Sequence, residues 1–344
     1  MAGTGPKAAG SHCSTSVTTA TTQSAGPPLP RITDHLARIA TPTLTVAGWY
    51  DAFLQGSLDN YLGARDSGQP AALIVGPWSY NNQTSRVGEF DFGAGADAAT
   101  LNGGSSLLSL ELDWLDRNIK TPKASKQKPP VLIFVMGINQ WRSLDHWPPQ
   151  SVDASWYLHS NGVLSETAPN ADEPADTYRH DPDNPVPTCG GALLLTDEYP
   201  AGPYDQRSIE NRSDVLVYTS EPLKRPLEVI GRVRTQIVAA STTPSTDWIV
   251  RLCDVDTDGV SRNITDGVLR DDNANAGPRE HSIDLWSTAH VFLPGHRIGL
   301  HIASSSVPRW DCNPSTRAAD QSVYHDASRP SRIILPAIAC QPSD

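Results

Sequence analysis

Two short apolar stretches, TLTVAGWYD at positions 43–51 and AALIVGPWSY at positions 71–80, decide the fold of the first part of this chain. Each is a run of mainly aliphatic residues that ends in glycine and aromatic residues, which predicts a buried strand followed by a loop. The residues between them include an apolar stripe at helical spacing, formed by Leu54, Leu58, Tyr61 and Leu62. A strand–helix–strand order predicts that the two strands are parallel.

A second apolar stripe follows a glycine-rich stretch and predicts another helix, which ends near Thr121 and Pro122. Its members are Leu108, Leu112, Leu115 and Ile119. Residues 31–122 are therefore predicted to form an α/β unit, and the Lys- and Pro-rich residues 123–130 a linker. Residues 1–30 are almost entirely small or polar and cannot offset their ordering entropy, so we expect them to be disordered.

Short apolar runs separated by turn residues fill positions 131–344 and are typical of an all-β domain. About ten such runs occur without a fixed repeat period, which favours a β-sandwich of jelly-roll type over a propeller. The fold class predicted is thus α/β followed by all-β.

The formal net charge of −11 argues against nucleic acid as a partner, because a phosphate-binding surface needs a basic footprint. No run of 18 apolar residues is present and the first 30 residues lack the pattern of a secretory signal. We therefore expect no membrane association, and a cytoplasmic location more than a secreted one.

Catalytic groups of open α/β sheets gather where strands end and loops begin, so the loops after the two predicted strands hold the candidate site. The first loop carries Asp51 and the second carries Tyr80.

Several motifs together resemble the CocE/NonD hydrolases, a family that includes cocaine esterase, α-amino-acid ester hydrolases and glutaryl acylases. PTLTVAGWYDAFLQGSLDNY and GPWS carry the resemblance in the α/β part. FVMGINQWRSLDHWPP, DPDNPVPTCGG and PGHRIGLHIASS resemble the galactose-binding-like jelly roll of X-prolyl dipeptidyl-peptidases. The resemblance covers roughly residues 31–340 and implies the C-terminal part of an α/β-hydrolase domain joined to that jelly roll.

Members of this family use Ser, Asp and His in that chain order. The resemblance implies that Asp51 is the catalytic acid and that the histidine would stand at Tyr80. A phenol group, with a pKa of about 10, is a poor general base for a serine near neutral pH. No G-x-S-x-G nucleophile motif occurs, since the only glycines four positions apart, Gly295 and Gly299, have Arg297 between them. We therefore expect an N-terminally truncated homologue without serine-hydrolase turnover.

Other interpretations of these residues are structural. Asp51 is also a good helix-capping residue, and Tyr80 is also suited to packing beside Trp78. The D-x-D-x-D-G sequence that begins at Asp254 lacks the glutamate and helices of a calcium loop, so a hairpin turn is predicted there. The spacing of the histidines favours no metal site, and no motif indicates a cofactor.

Three hypotheses remain open on the sequence. The first is a degenerate or partial CocE/NonD hydrolase, whose intact relatives act on small esters, amides or X-Pro peptides. The second is a non-catalytic binding module built on the jelly roll. The third is one half of a split hydrolase, in which an exposed sheet edge also favours self-association.

Overall fold

The computed structural model describes residues 41–101, 104–120, 130–314 and 317–339. The segment predicted to be disordered, residues 1–30, and nearly all of the predicted linker lie outside the described residues.

The predicted strand–helix–strand unit is present. Strand β1 (Thr43–Tyr50) and strand β2 (Ala71–Ser79) pair in parallel, with Thr43 opposite Ala71 and Gly48 opposite Gly76. Helix α1 (Leu54–Asp66) joins them and buries Leu58 and Tyr61. A bulge follows Gly76, so that Tyr50 lies opposite Ser79.

The boundary between the two parts differs from the prediction. After a small hairpin of β3 (Arg86–Val87) and β4 (Phe90–Asp91), strand β5 (Val131–Val135) pairs in parallel with β2, and β6 (Gln140–Leu144) pairs antiparallel with β5. Residues 131–144, assigned to the jelly roll from the sequence, thus complete a four-stranded sheet of order β1-β2-β5-β6. Periodicity cannot reveal this, because a fully buried strand looks the same in either sheet.

The second predicted helix is also present, as α2 (Leu107–Leu115) followed by a π-helical turn (Asp116–Lys120). Ser106 caps its first turn by accepting the Ser109 N–H at 3.1 Å. The apolar stripe of α2 does not pack on the described part of the chain, because Leu108, Leu112, Leu115 and Ile119 are 47–71% exposed.

The remaining strands form one eleven-stranded, mainly antiparallel sheet of order β13-β12-β15-β10-β8-β7-β17-β11-β16-β9, with β14 paired to β11. Their bounds are β7 (Val152–His159), β8 (Val163–Ser165), β9 (Asp176–His180), β10 (Leu216–Ser220), β11 (Leu227–Ser241), β12 (Thr246–Val255), β13 (Ser261–Asp271), β14 (Arg279–Phe292), β15 (Arg297–Ala303), β16 (Ala319–Tyr324) and β17 (Arg332–Ala337). A short helix, α3 (Arg207–Glu210), precedes β10. This agrees with the predicted β-rich C-terminal region.

The eleven-stranded sheet curls so that β13 and β14 face each other without pairing. Gly267 of β13 lies against the backbone of β14, where an added Cβ would stand 2.8 Å from the carbonyl carbon of Asp284. Apolar side chains of both strands, including Ile264 and Leu285, are buried in the main core.

The two sheets share this core and are joined by specific contacts. Met136 exchanges backbone hydrogen bonds with β14, donating to Ala289 at 3.0 Å and accepting from Val291 at 2.9 Å. The Ser287 hydroxyl of β14 bonds to Gln55 of α1 at 3.0 Å. The first sheet and its loops are therefore fixed against the second. Among the described residues, no helix is long and apolar enough to cross a membrane.

Candidate functional site

Asp51 lies directly after β1, at the carboxyl edge of the parallel strands. Its side chain is buried, and its Oδ1 accepts the Phe53 N–H at 2.8 Å. Burial raises the pKa of Asp51, and the Phe53 hydrogen bond opposes that rise. Asp51 is not the N-cap of α1, because that position is Phe53, whose own side chain makes no capping hydrogen bond. The carboxylate instead closes an Asx turn between strand and helix.

Tyr80 follows β2 at the same edge of the sheet. The register places Tyr50 opposite Ser79, so the two predicted site residues follow paired positions. Tyr80 is 53% exposed and its ring packs edge-on against Phe53, with centroids 5.5 Å apart. It does not fill space beside Trp78, which is buried and donates its indole N–H to the Ala96 carbonyl at 2.7 Å.

A cavity of about 490 Å³, here called the loop cavity, opens beside this edge. One wall comes from the loop after β2, including Ser79 and Asn82, and the other from Leu193–Thr196 and Tyr204 of the C-terminal region. Leu194 and Leu195 are 39% and 43% exposed, although they are large apolar residues.

The sequence analysis missed the second wall of the loop cavity. No motif marks residues 193–204 as part of a site, and only the three consecutive leucines hint at an exposed apolar function. A cavity with a mixed polar and apolar lining is suited to a small organic molecule, although neither Asp51 nor Tyr80 lines this one. Asp51 can orient or stabilise a neighbouring base, but the phenol at position 80 is not suited to accept a proton from serine.

The D-x-D-x-D-G sequence forms the hairpin turn that was predicted. Asp256 Oδ1 accepts the Asp258 N–H at 3.0 Å and the Val260 N–H at 2.9 Å, which closes the turn between β12 and β13. Within the described ranges, no group of three or more His, Cys, Asp or Glu side chains is arranged to hold a metal ion.

Two histidines that appeared unrelated to any site converge on Asp254 at the end of β12. His290 Nε2 lies 3.0 Å from Asp254 Oδ2, and His296 Nδ1 lies 2.9 Å from Oδ1. Burial opposes ionisation of Asp254, but the hydrogen bond from His290 and the nearby imidazoles outweigh it and hold the pKa of Asp254 below its usual value. Separations of 36 and 42 residues along the chain hid this group from sequence patterns.

Fold and site together define a protein in which a buried acid follows a parallel strand and a large β domain packs against that sheet. Residues 123–334 match the model of the X-Pro dipeptidyl-peptidase C-terminal non-catalytic domain. The chain belongs to the CocE/NonD hydrolase family.

Similar proteins of known sequence are esterases. Cocaine esterase of Rhodococcus sp. (strain MB1 Bresler) is 34% identical over 337 residues, which cover 89% of this chain and 58% of that protein. A putative serine esterase of Mycobacterium bovis is 28% identical and covers 85% of this chain and 49% of its own length. The chain thus spans about half the length of these relatives.

Solved structures of hydrolases share the fold. An aminopeptidase from a marine sediment archaeon (Thaumarchaeota) superposes with a TM-score of 0.77 at 28% identity, covering 90% of this chain and 57% of that one. An α-amino acid ester hydrolase superposes with a TM-score of 0.77 at 26% identity, covering 89% and 57%.

Proposed function

We propose that this chain is the acid-bearing part of a CocE/NonD-type serine hydrolase and has no hydrolase turnover by itself. Its first sheet corresponds in this proposal to the C-terminal strands of an α/β-hydrolase domain. The reaction of the complete site is acyl transfer from a small ester, amide or peptide to water through a serine. The relatives named as esterases, an amino acid ester hydrolase and an aminopeptidase support this substrate class.

One observation carries the proposal. Asp51 is a buried carboxylate at the carboxyl end of a parallel strand, and residue 80 follows the paired position on the neighbouring strand. This is the placement that lets an acid orient a base on an adjacent loop. The loop cavity, which Ser79 and Asn82 line at the same edge of the sheet, offers room for an acyl group.

Tyr80 explains the proposed lack of turnover. Removing the base of a triad abolishes most of the rate because the nucleophile is no longer deprotonated. The exposed Tyr80 ring has no imidazole nitrogen to present to a serine, and the 344 residues contain no G-x-S-x-G motif.

The free edge of β1 supports the split-enzyme form of this proposal. Among the described residues β1 is an edge strand of the four-stranded sheet, and an apolar groove of about 330 Å³ is lined by Leu44 of β1, Ile74 of β2 and Trp114 of α2. An unpaired edge next to an apolar face attracts another chain. In this proposal further hydrolase strands cover it, and without them a second copy of the chain does.

Complementation tests the proposal. The chain is mixed with the portion of Rhodococcus cocaine esterase that lies outside the matched region, and hydrolysis of a 4-nitrophenyl ester is followed. We expect no hydrolysis and no fluorophosphonate labelling of the chain alone, and hydrolysis by the mixture only with Tyr80→His. Adding Asp51→Asn to Tyr80→His should lower the rate on the order of 10⁴-fold, because the acid no longer fixes the imidazole tautomer.

If the cocaine esterase portion binds the Tyr80→His variant and the mixture still gives no hydrolysis, the proposed role of position 80 is contradicted. Specific fluorophosphonate labelling of the chain alone contradicts the proposed absence of a nucleophile. The matched control is Tyr80→Phe, which keeps the ring and should stay inactive in the mixture.

A non-catalytic binding module is the second candidate, because the family model that matches residues 123–334 describes a non-catalytic domain. This candidate predicts that a ligand binds in the loop cavity without Asp51 and without the added cocaine esterase portion. Unchanged binding in Asp51→Asn, together with inactivity of the Tyr80→His mixture, would favour this candidate.

A further inference from the structure

A second cavity lies at the junction of the two sheets and is separate from the loop cavity. This junction cavity has a volume of about 240 Å³. Its apolar wall includes Tyr50, Phe92, Met136 and Leu293, and its polar wall is built around Asp254. The carboxylate of Asp51 and the ring of Tyr80 do not line it.

The polar wall has its hydrogen-bond roles fixed by geometry. The ionised Asp254 carboxylate only accepts, so His290 Nε2 and His296 Nδ1 must donate to it. In a neutral imidazole the other nitrogen is then an acceptor. His290 is 5% exposed, and its Nδ1 is buried with no hydrogen-bond partner.

The charges of the cavity are unbalanced. Arg262 donates to Asp256 at 2.7 Å and its guanidinium lies over the Phe90 ring, so this cation is already paired. In the described part of the chain Asp254 pairs with no Arg or Lys side chain, and its side-chain partners are the His290 and His296 imidazoles. An occupant should therefore bring positive charge and hydrogen-bond donors.

We propose that the junction cavity binds a small organic amine, whose ammonium group donates to Asp254 and whose ring or short chain contacts the apolar wall. The size agrees with this occupant, because an apolar cavity of about 150 Å³ holds benzene and the junction cavity is larger by roughly an aminoethyl group. The proposal does not depend on hydrolase activity, since it uses neither Asp51 nor Tyr80.

Calorimetric titration of the full chain with three ligands of matched shape tests the proposal. Phenethylamine supplies the cation, 2-phenylethanol replaces it by a neutral hydroxyl, and phenylacetate replaces it by an anion. The titrations are run at one neutral pH and one salt concentration, so that the amine is cationic and phenylacetate is anionic. We expect phenethylamine to bind at least about tenfold more tightly than 2-phenylethanol, as a charge-assisted hydrogen bond implies, and phenylacetate not to bind.

Substitutions in the junction cavity and in the loop cavity test where the amine binds. Asp254→Asn keeps the volume but removes the charge, and should abolish the preference for the amine over the alcohol. Leu293→Trp reduces the cavity from its half-buried apolar side without touching Asp254, and should weaken amine binding at least about tenfold. Leu194→Trp makes the same change in the loop cavity and should leave amine binding unchanged.

Three results would overturn the proposal. They are equal affinity for the amine and the alcohol, tighter binding of phenylacetate than of phenethylamine, and amine binding that Leu293→Trp leaves unchanged. Because Leu293→Trp does not alter the buried Asp254–histidine group, the test remains decisive if Asp254→Asn fails to fold.

Discussion

Gly48 sits where β1 and β2 approach most closely, just before the site acid. A Cβ at this position would stand 2.7 Å from the carbonyl carbon of Trp78 and 3.0 Å from the Trp78 Cβ, and both atoms belong to the paired strand. The added Cβ would also clash with the Trp78 carbonyl oxygen, and since ordinary contacts begin near 3.4 Å, Gly48→Ala requires the strands to separate by roughly an ångström. The Trp78 indole bond to Ala96 and the pairing of β2 with β5 oppose that movement.

Overpacking of a well-filled core costs roughly 1–3 kcal/mol, and we expect Gly48→Ala to reach the upper part of this range because the obstacle is backbone. The same substitution at Gly56 has the opposite sign. Gly56 lies in α1 with no atom within 4 Å of the added Cβ, so Gly56→Ala should stabilise the chain by about 0.5–1 kcal/mol through helix propensity.

Urea denaturation followed by tryptophan fluorescence measures both changes, with an unchanged slope showing that the unfolding transition is the same. Gly48→Ala should lower the midpoint and Gly56→Ala should raise it. A Gly48→Ala midpoint equal to that of the wild type, or equal losses for the two variants, would refute the close strand contact on which the position of Asp51 depends.

Two further predictions follow from the site and its edge. Because burial raises the pKa of Asp51, the folded state holds its proton to higher pH than the unfolded state, and stability is lost as pH rises through the folded pKa. Asp51→Asn keeps an oxygen for the Phe53 N–H, so its free energy of unfolding should exceed that of the wild type at neutral pH. The two free energies should not differ in this way at a pH below the ordinary pKa of aspartate. Urea denaturation at both pH values measures the difference, and a difference that does not change with pH would contradict the prediction. Replacing Leu112 and Leu115 of α2 by Lys should reduce self-association in sedimentation velocity while changing stability by less than about 0.5 kcal/mol per site. Val152→Lys, at a more exposed position on β7, should leave self-association unchanged, and equal effects of the two changes would argue against the α2 surface.

The elements around Asp51 could be predicted from the sequence because their signals are local. An apolar run, a helical stripe and a second run fix β1, α1 and β2, and loops at the carboxyl ends of parallel strands indicate where a site lies. The Asx turn of Asp51 and the packing of Tyr80 on Phe53 depend on side-chain directions, which strand and helix patterns do not specify.

Features that depend on distant pairing could not be predicted. Strand β5 joins β2 across more than 50 residues, and its apolar run gives no sign of which sheet it enters. For α2 the sequence predicts the helix correctly from its apolar stripe. The stripe does not predict what the helix packs against, and in the described structure it is exposed. His296 reaches Asp254 because it precedes β15, which pairs with β12, and His290 reaches it because β14 lies close to β12.

The pairing of Asp51 with position 80 is the central claim, and one NMR titration of Tyr80→His tests it directly on the chain alone. The introduced imidazole should titrate at higher pH than in the double variant Tyr80→His, Asp51→Asn, because a carboxylate within about 4–6 Å favours the imidazolium. A difference on the order of one pKa unit is expected. Identical titration curves in the two variants would show that Asp51 does not act on position 80 and would contradict the account.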